Sequence, residues 1–499
     1  MTQKPEFLDY EPLTRVKSGR SVSSSDTDAG SPLREAALDG EYEELQNQQS
    51  RKELSHARKS DDWTPISNQA WSRAGVAGTE EIGGVKPTPD ARLNEAENQT
   101  WILRRGHSIS FFGLFLFTFL VYFRPYELFQ SLEWLSSAAF WVAVATLIIF
   151  IPTQLGLENT ITARPREVNL ILLLLLIALI SIPFAHDSLT AWNTFIEYSK
   201  VVIMFIVMIN IVRSENRVKA LILLVLAASV LLSIAGINDY RTGNLALQGR
   251  RIEGIIGGIF SNPNDLALHL VTMVPLTVGL ALSTRSYLKK LLYWCCGVIV
   301  TAGIIVTFSR GGFLALACAV FFLCWKLAPR GRAFFGVLGL IFVLTLVALA
   351  PGAFHSRLTR DASAIARTDD LKRSIFLAVR NPIFGIGMGN FIFYSNQAKA
   401  THNAYTQVAA ELGLIAATFY VLFIVAPFKG FRFIERECEA TKKRPRIYYL
   451  SVGLQASLIG YMVASFFASV AYLWYVYYLV GYSVCLRRIF ESRLSKRIP

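Results

Sequence analysis

Twelve apolar segments, each close to the length of a bilayer crossing, leave this chain few ways to fold. About 20 apolar residues in a helix span the hydrocarbon core, where every backbone N–H and C=O must pair inside the protein. The segments lie near 108–123, 134–153, 168–185, 195–212, 219–237, 264–283, 291–309, 311–327, 333–350, 404–427, 447–466 and 469–486. Residues 447–486 carry no charge and are long enough to cross twice. The fourth segment holds Glu197 and Lys200 near its start, three apart, so the two can pair on one helix face. Hydrophobic residues make up 53% of the chain and charged ones 17%, against about 25% in a soluble domain. The expected fold is an all-α polytopic membrane bundle of about twelve transmembrane helices.

Charge sets the expected orientation. The chain is +14 overall, but residues 1–100 hold twelve Lys/Arg against eighteen Asp/Glu. That tail, rich in Ser, Asp, Glu, Gln and Gly with low complexity over Ser18–Asp28, reads as a disordered cytoplasmic segment. A short polar helix is possible near Arg34–Lys59, and Asp26-Thr27-Asp28 copies a nucleotide-sugar motif by chance. Residues 101–499 form the transmembrane domain, and its first helix, near Ile109, acts as its own insertion signal. With twelve crossings, 164–166, 213–219, 285–290, 326–332, 429–446 and 487–497 fall inside. Each is basic, as the positive-inside rule requires. Both termini are then cytoplasmic.

One loop breaks that rule. Pro351–Asn403, before the tenth segment, falls outside the cytoplasm yet has seven Lys/Arg against three Asp. A basic external loop fits an anionic ligand, and a lipid-linked phosphate or pyrophosphate is the anion a membrane protein meets there. The other external stretches are 124–133, 186–194, 238–262, Ser309–Gly312 and Ser465–Ser469. No basic stripe with interleaved aromatics suggests nucleic acid. No HxxH, EF-hand or external acidic cluster suggests a metal, and no cofactor is expected. Six cysteines, none in a CxxC, read as small buried hydrophobes.

Several short motifs follow one another over about 240–430. They are Arg251-Ile-Glu-Gly254, Gly257–Asn264, Thr307-Phe-Ser-Arg310-Gly-Gly312, Arg373, Asn381-Pro-Ile-Phe-Gly385-Ile-Gly387, Thr401-His402-Asn403-Ala-Tyr405 and Glu411-Leu-Gly413. In order and spacing they resemble the O-antigen ligase/polymerase family. The resemblance implies a glycosyltransferase of the bacterial cytoplasmic (inner) membrane, with its site on the periplasmic face. Such an enzyme moves a glycan from an undecaprenyl pyrophosphate carrier to an acceptor hydroxyl, on lipid A-core or on another glycan.

The residues suit that chemistry. Arginine stays charged and grips phosphate oxygens with two donors, so Arg310 and Arg373 are expected to hold the pyrophosphate. Arg250, Arg251, Lys372 and Arg380 are further candidates for the same anion, with Arg251 and Arg373 matching the family pattern better than their neighbours. Arg310 has a plainer reading as a side chain reaching the headgroups. His402 is expected to accept the proton of the acceptor hydroxyl, or only to orient it; its plainer reading is a residue at a helix start with Asn403 as cap. Glu411 is an intramembrane carboxylate, expected at the substrate or paired with an arginine, and Asn403 is a further substrate-binding candidate beside its capping role. Asn262-Pro263-Asn264 reads as a helix start, His269 as a partner of Asp265, and Gly385-Ile-Gly387-Met-Gly389 as a loop hinge. A direct displacement at the anomeric carbon inverts it. The rival reading is a lipid-linked oligosaccharide transporter or flippase without chemistry, which would show internal repeats or broken helices.

The expected orientation is open to cysteine labelling. A membrane-impermeant reagent should reach Ser363→Cys and not Thr441→Cys in intact cells. The opposite pattern would invert the topology.

Overall fold

The computed structural model describes residues 89–244, 252, 260, 262–327, 334, 362–395, 400–442 and 444–495. The expectations for the first 88 residues, for Arg250 and Arg251, and for the ninth segment apart from Phe334 lie outside the described residues.

The described elements are helical. They are α1 (Pro89–Phe123), α2 (Ala138–Glu158), α3 (Arg166–Ser181), α4 (Ser188–Ile211), α5 (Glu215–Thr242), α6 (Pro263–Ser283) and α7 (Tyr287–Val306). After these come α8 (Arg310–Leu327), α9 (Ala362–Arg380), α10 (Ala404–Val425), α11 (Pro427–Ala440), α12 (Arg446–Ala464) and α13 (Trp474–Ser495). Among the described residues, ten helical stretches are long and apolar enough to cross a membrane, with α10 and α11 counted together. The protein is an all-α polytopic membrane protein. α13 is not among the ten, because its uncharged stretch ends at Leu486 and Arg487, Arg488, Glu491 and Arg493 follow within the same helix. Two expected loops are largely helix. α4 starts at Ser188, where the Asp187 carboxylate accepts from Leu189 N at 3.4 Å and Thr190 N at 3.1 Å. The Glu197–Lys200 pair forms within it at 2.6 Å. The basic stretch after α10 is mostly the amphipathic α11.

α6 is the centre of the bundle. It is apolar all round and buried along nearly its whole length, as a helix surrounded by others must be. α12 lies against it so closely that a Cβ on Gly279 would come within 2.9 Å of Tyr449 O, and one on Gly453 within 2.9 Å of Pro275 O. Lipid supplies no hydrophobic drive between helices, so such small-residue contacts carry the association. Ser457 Oγ donates to Thr272 O at 2.6 Å across the same interface. Cys438 and Cys485 are buried as expected, whereas Cys295 is exposed on α7.

Basic residues at one end of the bundle are matched by carboxylates. Arg213 pairs with Glu158 and donates to Gln154 Oε1 at 3.1 Å. Arg487 forks onto Glu167 at 2.8 and 3.0 Å, Arg493 meets Glu215 at 3.0 Å and Lys326 meets Glu435 at 2.8 Å. These pairs fasten α13 to α3 and α5, and α8 to α11.

The most consequential departure from a regular bundle lies in α10. Gly413 has φ 89° and ψ 171°, which splits the helix. A regular helix would bond Leu414 N to Ala410 O. Here Leu414 N donates to Pro382 O at 2.8 Å, Ala410 O accepts from Ile386 N at 3.0 Å and Glu411 O accepts from Gly387 N at 3.0 Å. The loop after α9 is thus stapled into the break. The Gly-x-Gly run is a fixed wedge and not the hinge its composition suggests: a Cβ on Gly385 would lie 2.3 Å from the Glu411 carbonyl carbon. On Gly413 it would lie 2.4 Å from Ile383 O.

Gly413→Ala therefore meets both a left-handed φ and a backbone clash. Gly243, at φ +73°, has nothing within 4 Å of its would-be Cβ. Gly243→Ala should cost about 1 kcal/mol and Gly413→Ala at least about 3 kcal/mol. Thermal unfolding in detergent checks this; equal melting shifts would mean that the wedge carries no strain of its own.

Candidate functional site

The site is assembled from helix starts at one end of the bundle. α7 ends at Val306, and Thr307 turns the chain by donating from Oγ1 to Ile304 O at 2.7 Å. Phe308 then takes φ 50°, a left-handed conformation rare for a large side chain. Ser309 accepts from Gly312 N at 3.3 Å and donates to Asn264 Oδ1 at 3.0 Å. Arg310 opens α8 with its side chain exposed. The two glycines after it allow close packing: a Cβ on Gly311 would strike the Phe467 ring at 2.7 Å, and one on Gly312 would meet Ala267 Cβ at 2.8 Å. Asn264 belongs to the first turn of α6, whose cap, Asn262, accepts from Asn264 N at 2.9 Å. The Asn-Pro-Asn run is a helix start, as expected.

His402 sits at the start of α10, also left-handed at φ 56°. Its backbone N–H donates to Ser469 Oγ at 2.7 Å, and Ser469 Oγ lies 3.2 Å from Thr401 Oγ1. The imidazole is half-buried. Asn403 accepts from Tyr405 N at 2.9 Å and Thr406 N at 3.0 Å. Its side-chain oxygen is engaged in capping, and the residue is only 3% exposed, which leaves it little surface for a substrate.

One turn joins these pieces. Phe467 touches Gly311 beside Arg310, and Ser469, two residues on, holds His402. Two residues of extended chain reach about 7 Å at most, so the Arg310 and His402 segments flank one short stretch of backbone. Nothing in the residue pattern singles out Phe467 and Ser469. The only hint was that Ser465 and Ser469 interrupt a long apolar run.

Arg373 belongs to a second set. It is half-buried on α9 and donates to Tyr394 O, while Lys372 and Arg380 are exposed. Asp370 Oδ1 accepts from Ser395 Oγ at 3.1 Å, a second tie between α9 and the wedge loop. The loop is anchored in turn by Asn390, whose Oδ1 accepts from Asp187 N at 2.7 Å, and by His186 N donating to Ile386 O at 3.0 Å. Glu411, 3% exposed, faces the backbone N–H groups of Gly389 and Phe391 rather than an arginine. Tyr472 and Gln407 also face it, but Oε2 has no well-formed hydrogen bond. Tyr472 follows Ser469 by three residues, so the same turn reaches both sets. His269 does not pair with Asp265. Its Nε2 meets Ser229 Oγ at 2.8 Å, inside a cage of Tyr122, Phe260 and Tyr475 rings at 5.1–5.7 Å. Among the described residues, no three His, Cys, Asp or Glu side chains group so as to hold a metal ion.

Ser469→Ala removes the acceptor of the His402 N–H and a partner of Thr401. Leaving such groups unpaired costs about 1–3 kcal/mol. Hydrogen exchange over 400–403 should quicken while exchange in α12 stays as it was; unchanged exchange over 400–403 would show that Ser469 does not hold His402.

Residues 295–421 match the family model described as O-antigen ligase. That stretch contains Arg310, Lys372, Arg373, Arg380, His402, Asn403 and Glu411, together with the break at Gly413. No curated protein matches the chain. The match gives this membrane chain a domain similar to O-antigen ligases over residues 295–421, which supports membership of the O-antigen ligase/polymerase family.

Proposed function

We propose that this protein transfers a glycan from undecaprenyl pyrophosphate to an acceptor hydroxyl at the external face of the bacterial inner membrane. One observation carries the reading: an arginine and a histidine, each at a helix start, flank the same turn. A guanidinium suits the pyrophosphate that must depart, and an imidazole suits the proton that must be taken from the hydroxyl. The acceptor O–H gives its proton to His402 as its oxygen bonds to the anomeric carbon. The bond from that carbon to the pyrophosphate oxygen breaks on the opposite face, which inverts the centre. The electron pair leaves with the pyrophosphate, whose charge Arg310 and Arg373 stabilise. The arginines do this without a metal. Lys372 and Arg380, exposed on α9, draw the anion toward the site, and Arg250 and Arg251 add to the donor site. Glu411 supports the wedge loop on which Arg373 leans. Lipid A-core as acceptor makes the enzyme a ligase, and a second glycan unit makes it a polymerase.

The transporter reading gains one feature, since α10 is broken. Its freed carbonyls, however, are taken up by loop amides and are not open to an ion or substrate. Transport would also not call for the imidazole.

His402→Ala should leave donor binding nearly intact and cut single-turnover transfer by roughly 10²–10⁴. Arg310→Lys keeps the charge but loses the fork, and should weaken donor binding. Transfer should persist in excess EDTA. Near-normal turnover of His402→Ala would remove the base assignment, and a loss in EDTA that Mg²⁺ restores would remove the arginine-only account.

A further inference from the structure

Arg124 has no part in the chemistry above, yet it is the most unusual cation among the described residues. α1 ends at Phe123, and Pro125 follows Arg124. A residue before proline is turned away from the right-handed helical region. Arg124 goes instead to φ 40° and ψ 61°, a left-handed conformation that costs about 1–2 kcal/mol for a residue with a side chain. One guanidinium nitrogen, Nη1, meets Glu127 Oε1 at 2.5 Å. The Nε is buried and has no hydrogen-bond partner. Backbone strain together with an unsatisfied buried donor lowers stability, so neither is explained by the fold.

Its surroundings join it to the site. Tyr475 lies within electrostatic reach of both Arg124 and Asp265. Asp265 follows Asn264, which accepts from Ser309 beside Arg310. Arg124 and Arg310 therefore lie at the same end of the bundle, connected through the start of α6. Beside Arg124 is an apolar recess lined by Phe123, Leu128, Ala228, Leu231 and Ala235, among others. Residues 228, 231 and 235 share one face of α5 over about 10 Å of helix. The two alanines leave the hollow, and Leu231, 53% exposed, and Leu128, 39% exposed, open it to the surrounding lipid. A cation with a buried N–H donor, adjoining in sequence the Phe123 wall of an apolar recess, fits an amphiphile with an anionic head and a branched apolar tail.

The geometry points to a carrier site in which Arg124 donates to the pyrophosphate and the first isoprene units of the carrier occupy this recess. It rests on the donor proposed above and adds where the lipid lies. Each isoprene unit carries a methyl branch that a shallow hollow between alanines can receive, whereas an inorganic phosphate would leave the hollow unused. Bulk anionic phospholipid shares head charge and tail, and the experiment separates the two.

The full-length protein is placed in nanodiscs of phosphatidylcholine, and binding of undecaprenyl pyrophosphate is measured. Arg124→Gln should weaken it by about 10-fold or more, the worth of a hydrogen bond to a charged group. Ala235→Leu fills the recess without touching the charge, and should weaken it several-fold. A benzophenone side chain at position 231 should cross-link to the carrier in otherwise wild-type protein. Excess undecaprenyl pyrophosphate should suppress that cross-link, and excess phosphatidylglycerol should not. If the wild type binds while Arg124→Gln and Ala235→Leu bind as well, or if phosphatidylglycerol competes equally, the carrier site is overturned and the transfer reading stands. If the wild type does not bind undecaprenyl pyrophosphate, both fall.

Discussion

A backbone carbonyl cannot go unpaired in a bilayer, and that constraint organises the functional half of this protein. Breaking α10 at Gly413 frees carbonyls and an N–H in the middle of a crossing. The loop after α9 supplies the missing partners with its own backbone, through Ile386, Gly387 and Pro382. The same loop carries the Tyr394 carbonyl against Arg373 and the Ser395 hydroxyl against Asp370. A break that would be costly alone thus becomes the anchor that fixes α9, which is not among the helices apolar enough to cross a membrane, to the bundle. Glycine is required on both sides of this contact, because the two backbones meet closer than any Cβ allows.

The turn between α12 and α13 has a comparable role on a smaller scale. Phe467 packs on Gly311, Ser469 binds the His402 N–H, Tyr472 faces Glu411 and Tyr475 faces His269. Residues far apart in sequence are brought together by four contacts spaced two or three residues apart. Left-handed Phe308 and His402 both lie beside this turn. Backbone strain of this kind persists only where neighbouring contacts hold it.

The two ends of the bundle treat charge differently. At one end Arg213, Arg487 and Arg493 meet the carboxylates of Glu158, Glu167 and Glu215, so the bundle is locked by matched pairs. At the other, Glu411 faces backbone amides, while Arg310, Lys372 and Arg380 are exposed. An end that exposes cations is suited to an incoming anion.

Apolar length and basic loops made the helical membrane fold legible, because the bilayer permits so few alternatives. The spacing of Arg310, Arg373, His402 and Glu411 was legible as well, through their motifs. Their surroundings were not. Asn403, a candidate both for the substrate and for a helix cap, caps α10; Glu411, expected at the substrate or paired with an arginine, faces backbone amides. Asp265 stands one turn before His269, but the imidazole bonds Ser229 on another helix. Hydropathy records how far a segment extends into lipid and says nothing of which neighbour it faces. By itself the sequence determined that the chain is an all-α protein built to cross a membrane many times, and it nominated side chains for an anion and a proton. Only the tertiary structure decided that α10 is broken and wedged, and that a serine on a distant turn holds His402, because both depend on backbone groups that no residue pattern displays.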